Sequence, residues 1–96
     1  MNILNFIPYG KKNAISNEEL AIRLNTDKRT TRKIVHLARI KGANICSTCE
    51  GEPTAGYYIP LSKEEAIPYQ KMQRSRISSA EAALRPTENF INSFDK

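Results

Sequence analysis

Residues 15–47, ISNEELAIRLNTDKRTTRKIVHLARIKGANICS, carry two helix starts and two helix stops within 33 positions. Ser16 is placed to cap a helix, and Glu19, three residues on, completes a capping box. Ile15 before the cap and Leu20 after it suit a hydrophobic staple. Leu20, Ala21 and Leu24 share one face, so this helix should run over about 17–24 and end at Asn25. A second start follows at once. Asp27, with Thr26 beside it, can cap KRTTRKIVHLARIKG, in which Thr31, Val35 and Ala38 form one stripe with Ile34 next to it. Gly42 stands where a glycine C-cap belongs.

Two helices joined by a turn of about three residues make a helix-turn-helix. Downstream, ANICS alternates, with Ala43, Ile45 and Ser47 on one side, and YYIP (57–60) is rich in strand formers. The connecting TCEGEPTAG contains Gly and Pro, so the pair reads as a hairpin. A hairpin directly after a helix-turn-helix is a wing. Upstream, NILNFIPY (2–9) reads as a short apolar helix ended by Pro8 and Gly10, followed by a loop, GKKNA. Ser62 and Glu65 form another capping box. Pro68 predicts a kink or restart, with helix from about 68 to 84 and a stop at Pro86. TENFINSFDK is weakly patterned, although Phe90, Ile91 and Phe94 are candidates for docking.

The 96 residues allow one small domain with a helical appendage. Apolar residues make up 40% of the chain, with four Tyr, three Phe and no Trp, so the core must be mostly aliphatic. Such a domain buries a limited fraction of its surface. The net charge is +5, and it is unevenly placed. Lys28, Arg29, Arg32, Lys33, Arg39 and Lys41 fall within 14 residues that contain no acid. That density favours a polyanion, nucleic acid being the usual one, although a solvated helix face would look the same. No stretch approaches the ~18 apolar residues of a membrane span. No basic segment followed by an apolar run marks a signal peptide. With no disulfide framework in prospect, a cytoplasmic protein is the expectation.

Cys46 and Cys49 are the only cysteines, and His36 is the only histidine. They make three candidate zinc ligands without a convincing fourth. A redox Cys-x-x-Cys wants its first thiol at a helix N-terminus, where the dipole lowers its pKa. Here Cys46 falls in a predicted strand and Cys49 at a loop tip. Cys46 is therefore expected to act as a small apolar residue against the core, and no metal or other cofactor is expected. A Ser/His/Asp set, paired catalytic carboxylates and a phosphate-binding Gly loop are all missing from the sequence, so no enzymatic activity is expected.

Taken with the GYYIP strand at 56–60, the helix-turn-helix stretch resembles the winged-helix module at the N-terminus of biotin-operon repressors. It also resembles small winged-helix proteins encoded by temperate phages and prophages of Gram-positive bacteria. In these, a PYG segment, a Thr- and Arg-rich recognition helix, an Ile-Cys strand and a GYY wing strand recur in this order. The likeness covers about residues 4–60, and the MQRSRI segment of the C-terminal helix fits the phage group. It implies a mainly α fold with a small β-hairpin (α+β). Residues 1–61 would form a winged helix-turn-helix domain, 62–86 a C-terminal helical extension and 87–96 a flexible tail.

The implied function is sequence-specific binding of double-stranded DNA by a phage or prophage transcriptional regulator. In helix-turn-helix proteins the second helix enters the major groove with its N-terminal exposed residues. On that model Lys28, Arg29, Thr30, Arg32, Lys33 and His36 form the DNA-binding set. Arg29, Lys33 and His36 share a face, and Arg29 and Lys33 suit guanine O6 and N7. Thr30 and Arg32 are assigned to phosphates. The wing argues the other way: Glu50 and Glu52 would be repelled by a phosphate backbone, and no basic residue lies between Gly51 and Pro60. The alternative is therefore a protein-protein interaction module, for example one docking a host replication or transcription factor. In the C-terminal segment, Ile77, Ala80 and Leu84 fall at three- and four-residue spacing. They suit either packing onto the domain or a homodimer seam. Lys71, Arg74 and Arg76 could add phosphate contacts. No membrane partner and no small-molecule ligand are expected.

Overall fold

The computed structural model describes residues 2–48 and 55–94. Three α-helices and a two-stranded antiparallel hairpin follow two short 3-10 turns. The helices are α1 (Asn17–Arg23), α2 (Lys28–Ile40) and α3 (Lys63–Asn92), and the strands are β1 (Cys46–Ser47) and β2 (Tyr57–Tyr58). The expected mainly α architecture with a small β-hairpin and a C-terminal helix is observed.

Local chemistry accounts for the helix starts. The Ser16 hydroxyl accepts from the Glu19 N–H at 3.0 Å, and the Asp27 carboxylate accepts from the Thr30 N–H at 2.7 Å. Each pairing satisfies one of the donors that a helix N-terminus leaves open. The Glu19 carboxylate turns forward to Arg23 at 3.2 Å. Both helices stop on a left-handed residue. Asn25 has φ +55° and Gly42 φ +108°, and the Thr26 and Ala43 N–H groups reach back to the Ala21 and Ala38 carbonyls at 2.9 and 3.0 Å. That is the six-to-one closure of a left-handed C-cap.

The core is aliphatic. Ile3, Ile7, Ile15, Leu20, Val35 and Ile45 form one buried cluster, with Leu24, Ile34 and Ala38 packed against it. Thr31 is fully buried, and its hydroxyl is satisfied by the Asp27 carbonyl at 2.8 Å. In the hairpin, Cys46 pairs with Tyr58 and Ser47 with Tyr57. Ile15 bridges the other edge of Tyr57, so the hairpin is fixed to the segment that enters α1. Tyr57 N–H donates to the Ile15 carbonyl at 2.7 Å, and Ile15 N–H to the Tyr57 carbonyl at 2.9 Å.

Four expectations need correction. The N-terminal segment is a four-residue 3-10 turn, Ile3–Phe6, and GKKNA contains a second turn, Lys11–Asn13. The 43–47 stretch does not alternate: Ile45 and Cys46 are both buried, and only Cys46–Ser47 pair as a strand. Finally, α3 neither restarts at Pro68 nor stops at Pro86 but is helical from Lys63 to Asn92. Residues 87–92, expected in the tail, belong to it. Each proline removes one helical N–H. The carbonyls so released are those of Glu64 and Ala82, both exposed residues where solvent can take the place of the missing donor.

The start of α3 is tied to the domain. The Glu65 carboxylate accepts from the Leu61 N–H at 2.8 Å and the Lys11 N–H at 3.2 Å, which holds its pKa below the usual glutamate value. The buried Tyr58 donates its hydroxyl to the Glu65 carbonyl at 2.6 Å. Beyond Gln73 every described residue of α3 is exposed.

Candidate nucleic-acid interface

α2 has a sharply divided surface. Its stripe of Thr31, Val35, Ala38 and Ile34 faces the core, which turns Arg29, Lys33, His36 and Ile40 outward. All six sequence-selected residues, Lys28, Arg29, Thr30, Arg32, Lys33 and His36, lie exposed on this helix. Among the described residues, no hydrogen bond or ion pair engages the side chains of Arg29, Arg32, Lys33 or His36.

The other two are partly occupied. The Thr30 hydroxyl donates to the Asp27 carboxylate at 3.1 Å, so a phosphate contact would have to break that bond. Lys28 Nζ lies 3.9 Å from Glu18, with both side chains well exposed. Such a pair is worth little and is easily released. Hydrogen bonds from the Thr30 backbone and hydroxyl hold the Asp27 pKa below its usual value. Its negative charge therefore persists at the positive end of the helix dipole.

Arg39 belongs to the basic run in sequence but not to the outward face. Its Nε donates to the Ile45 carbonyl at 2.8 Å. The guanidinium stacks over Tyr69 at 4.9 Å and Tyr57 at 5.9 Å. It thereby joins α2 to β1, β2 and α3, and this charge is spent on architecture.

A second connection sets where α2 begins. Tyr57 donates its hydroxyl to Asn17 Oδ1 at 3.0 Å, and Asn17 Nδ2 donates to the Lys28 carbonyl at 3.1 Å. The hairpin, the first turn of α1 and the first turn of α2 are thus held in one relay. Burial pushes the Tyr57 hydroxyl pKa up, with Arg39 and Arg32 opposing that shift. Sequence reasoning gave neither Asn17 nor Tyr57 a role, because their partners are 11 and 40 residues away.

Cys46 is 2% exposed, and burial raises its thiol pKa, which suits a packing residue. Cys49, Glu50 and Glu52 lie outside the described residues. Among the described residues, no three His, Cys, Asp or Glu side chains are grouped to hold a metal ion. No helix among them is long and apolar enough to cross a membrane. Compared with family models, curated proteins and solved structures, the chain matches none of them.

Proposed function

We propose that the protein is a winged helix-turn-helix that binds double-stranded DNA sequence-specifically through α2. The single observation that carries this reading is the outward face of α2: Arg29, Arg32 and Lys33 are exposed cations whose side chains make no intrachain hydrogen bond or ion pair among the described residues. The element order supports the winged-helix assignment. α1 and α2 are joined by a four-residue turn, a hairpin follows, and Ile15 pairs along its second strand. α2 is the recognition helix and enters the major groove from its N-terminal end. Arg29 and Lys33 read base edges, with guanine O6 and N7 the matching acceptors. Lys28 and Arg32 hold phosphates and fix the register. The resemblance to small phage and prophage proteins extends the proposal to a transcriptional regulator acting in the cytoplasm of a bacterial host.

Selection of bound sequences from a random duplex pool at physiological salt tests this reading. An enriched motif is expected. A second reading, docking to a host protein, is favoured by the acidic pair Glu50 and Glu52 in the segment joining the strands. A pool that emerges unenriched would transfer support to it.

A further inference from the structure

The distal part of α3 leaves a helix without a partner. From Arg74 to Asn92 all residues are exposed. The segment includes Pro86, three serines, a threonine and two asparagines, none of them a strong helix former. Most helical stability in proteins comes from an apolar face that packs rather than from propensity. Such a face is present. Ile77, Leu84 and Ile91 repeat every seven residues and are 51%, 51% and 55% exposed. Ala80 and Thr87 fall between them at the complementary spacing. Phe94, on the turn after the helix, continues the stripe and packs edge-on against Phe90 at 5.0 Å. With Ile77, Leu84 and Ile91 at heptad position a, positions d are Ala80, Thr87 and Phe94. A seven-residue repeat of this kind is a coiled-coil seam.

From this seam we infer that α3 pairs with α3 of a second copy as a short, parallel, in-register coiled coil. Charge selects both the occupant and the direction. In a parallel pair, position g of one helix meets position e of the next heptad on the other. Here g is Arg76 and e is Glu81, so the two-fold axis creates two Arg76–Glu81 pairs between the copies. The following g is Ala83 and meets Glu88 without conflict. An antiparallel pair sets e against e. Centred between Ala80 and Leu84, it opposes Glu81 to itself, offset by Arg74 against Glu88. Centred between Leu84 and Thr87, it opposes Glu81 to Glu88 twice. Of these three arrangements, only the parallel one is free of like-charge contacts. Pro86 falls at position c, away from the seam. The small Ala80 and Thr87 limit burial, so the association is of modest strength and depends on concentration. It does not rest on DNA binding and is measured without DNA.

Sedimentation equilibrium of the full chain over a concentration series tests the pairing. A monomer–dimer equilibrium is expected for the parent, and monomer alone for Leu84→Asp. Circular dichroism melting checks that the domain of this variant stays folded. Glu81→Arg should weaken the dimer, and the double variant Arg76→Glu/Glu81→Arg should restore it. For direction, Ala80→Cys is made in a Cys46→Ala/Cys49→Ser background and oxidised. In-register parallel helices give a covalent dimer through position 80. A parent that stays monomeric throughout, or a dimer unaffected by Leu84→Asp, overturns the seam. A dimer that does not cross-link at position 80 overturns the parallel pairing.

Discussion

Replacing Gly56 by alanine should undo the attachment of the hairpin to the helical core. Gly56 has φ +139°, where an L side chain is strained. A Cβ added there would overlap the Ile15 carbonyl and lie 2.7 Å from the Ser16 N. Both neighbours are backbone, so no side-chain rotation relieves the clash. The chain must part between Ile15 and Tyr57, breaking their two mutual hydrogen bonds. Each such bond contributes a net ~0.5–1.5 kcal/mol, and the unfavourable φ costs a further ~1–3 kcal/mol. The sum, about 2–6 kcal/mol, is a large part of the ~5–15 kcal/mol available to a small domain. At ~4–8 °C per kcal/mol the melting temperature should fall by at least about 8 °C. Gly42→Ala is the internal control. Its φ is also positive, at +108°, but a Cβ there meets nothing within 4 Å. Only the conformational cost of about 1–2 kcal/mol remains. Urea and thermal unfolding followed by circular dichroism measure both variants. If Gly56→Ala costs no more than Gly42→Ala, the close approach to Ile15 is not a determinant of this fold.

Arg39→Ala should destabilise the domain by roughly 2–4 kcal/mol, through loss of a charged hydrogen bond and the stacking on Tyr57 and Tyr69. Arg39→Lys should rescue little, because an ammonium lacks the planar fork. Denaturant melts would show this, and an Arg39→Ala protein as stable as the parent would remove Arg39 from the framework. Acid should weaken the fold through two caps. The Asp27 and Glu65 carboxyls are held below their ordinary values of 3.8 and 4.5. Their stabilisation is complete above those values and is lost as the pH falls through the lower folded-state ones. Between about pH 5 and pH 2, the melting temperature of Asp27→Asn/Glu65→Gln should fall less steeply than that of the parent; parallel curves would contradict the assignment.

Features fixed by neighbours in the chain are legible in the sequence. Ser16, Asp27 and Ser62 cap within three residues, and the Thr31–Val35–Ala38 stripe repeats at helical spacing. Gly42 closes its helix locally. What was missed depends on distant partners. Arg39 counts as one more cation until Ile45, Tyr57 and Tyr69 surround it. Gly56 reads as a turn glycine until the Ile15 backbone lies against it. Pro68 and Pro86 look like breaks in the sequence because proline disfavours helix locally. In α3 each removes one N–H, and the carbonyls released belong to exposed residues. In the DNA-contact set, the exposure of Arg29, Lys33 and His36 follows from periodicity; the bond from the Thr30 hydroxyl to Asp27 is local too, but the cap spacing points only to the Thr30 N–H.

The central claim, that α2 reads DNA, is tested most directly by fluorescence anisotropy on a selected duplex and a scrambled one across a salt series, with parent, Arg29→Ala and Arg32→Ala. Arg29→Ala should lose about 1–3 kcal/mol on the selected duplex, roughly 5–150-fold, and relax preference at one base position. Arg32→Ala should weaken both duplexes alike and lower the salt slope by about one. A parent without affinity for either duplex at low salt, or an Arg29→Ala protein that binds and discriminates like the parent, would contradict the account.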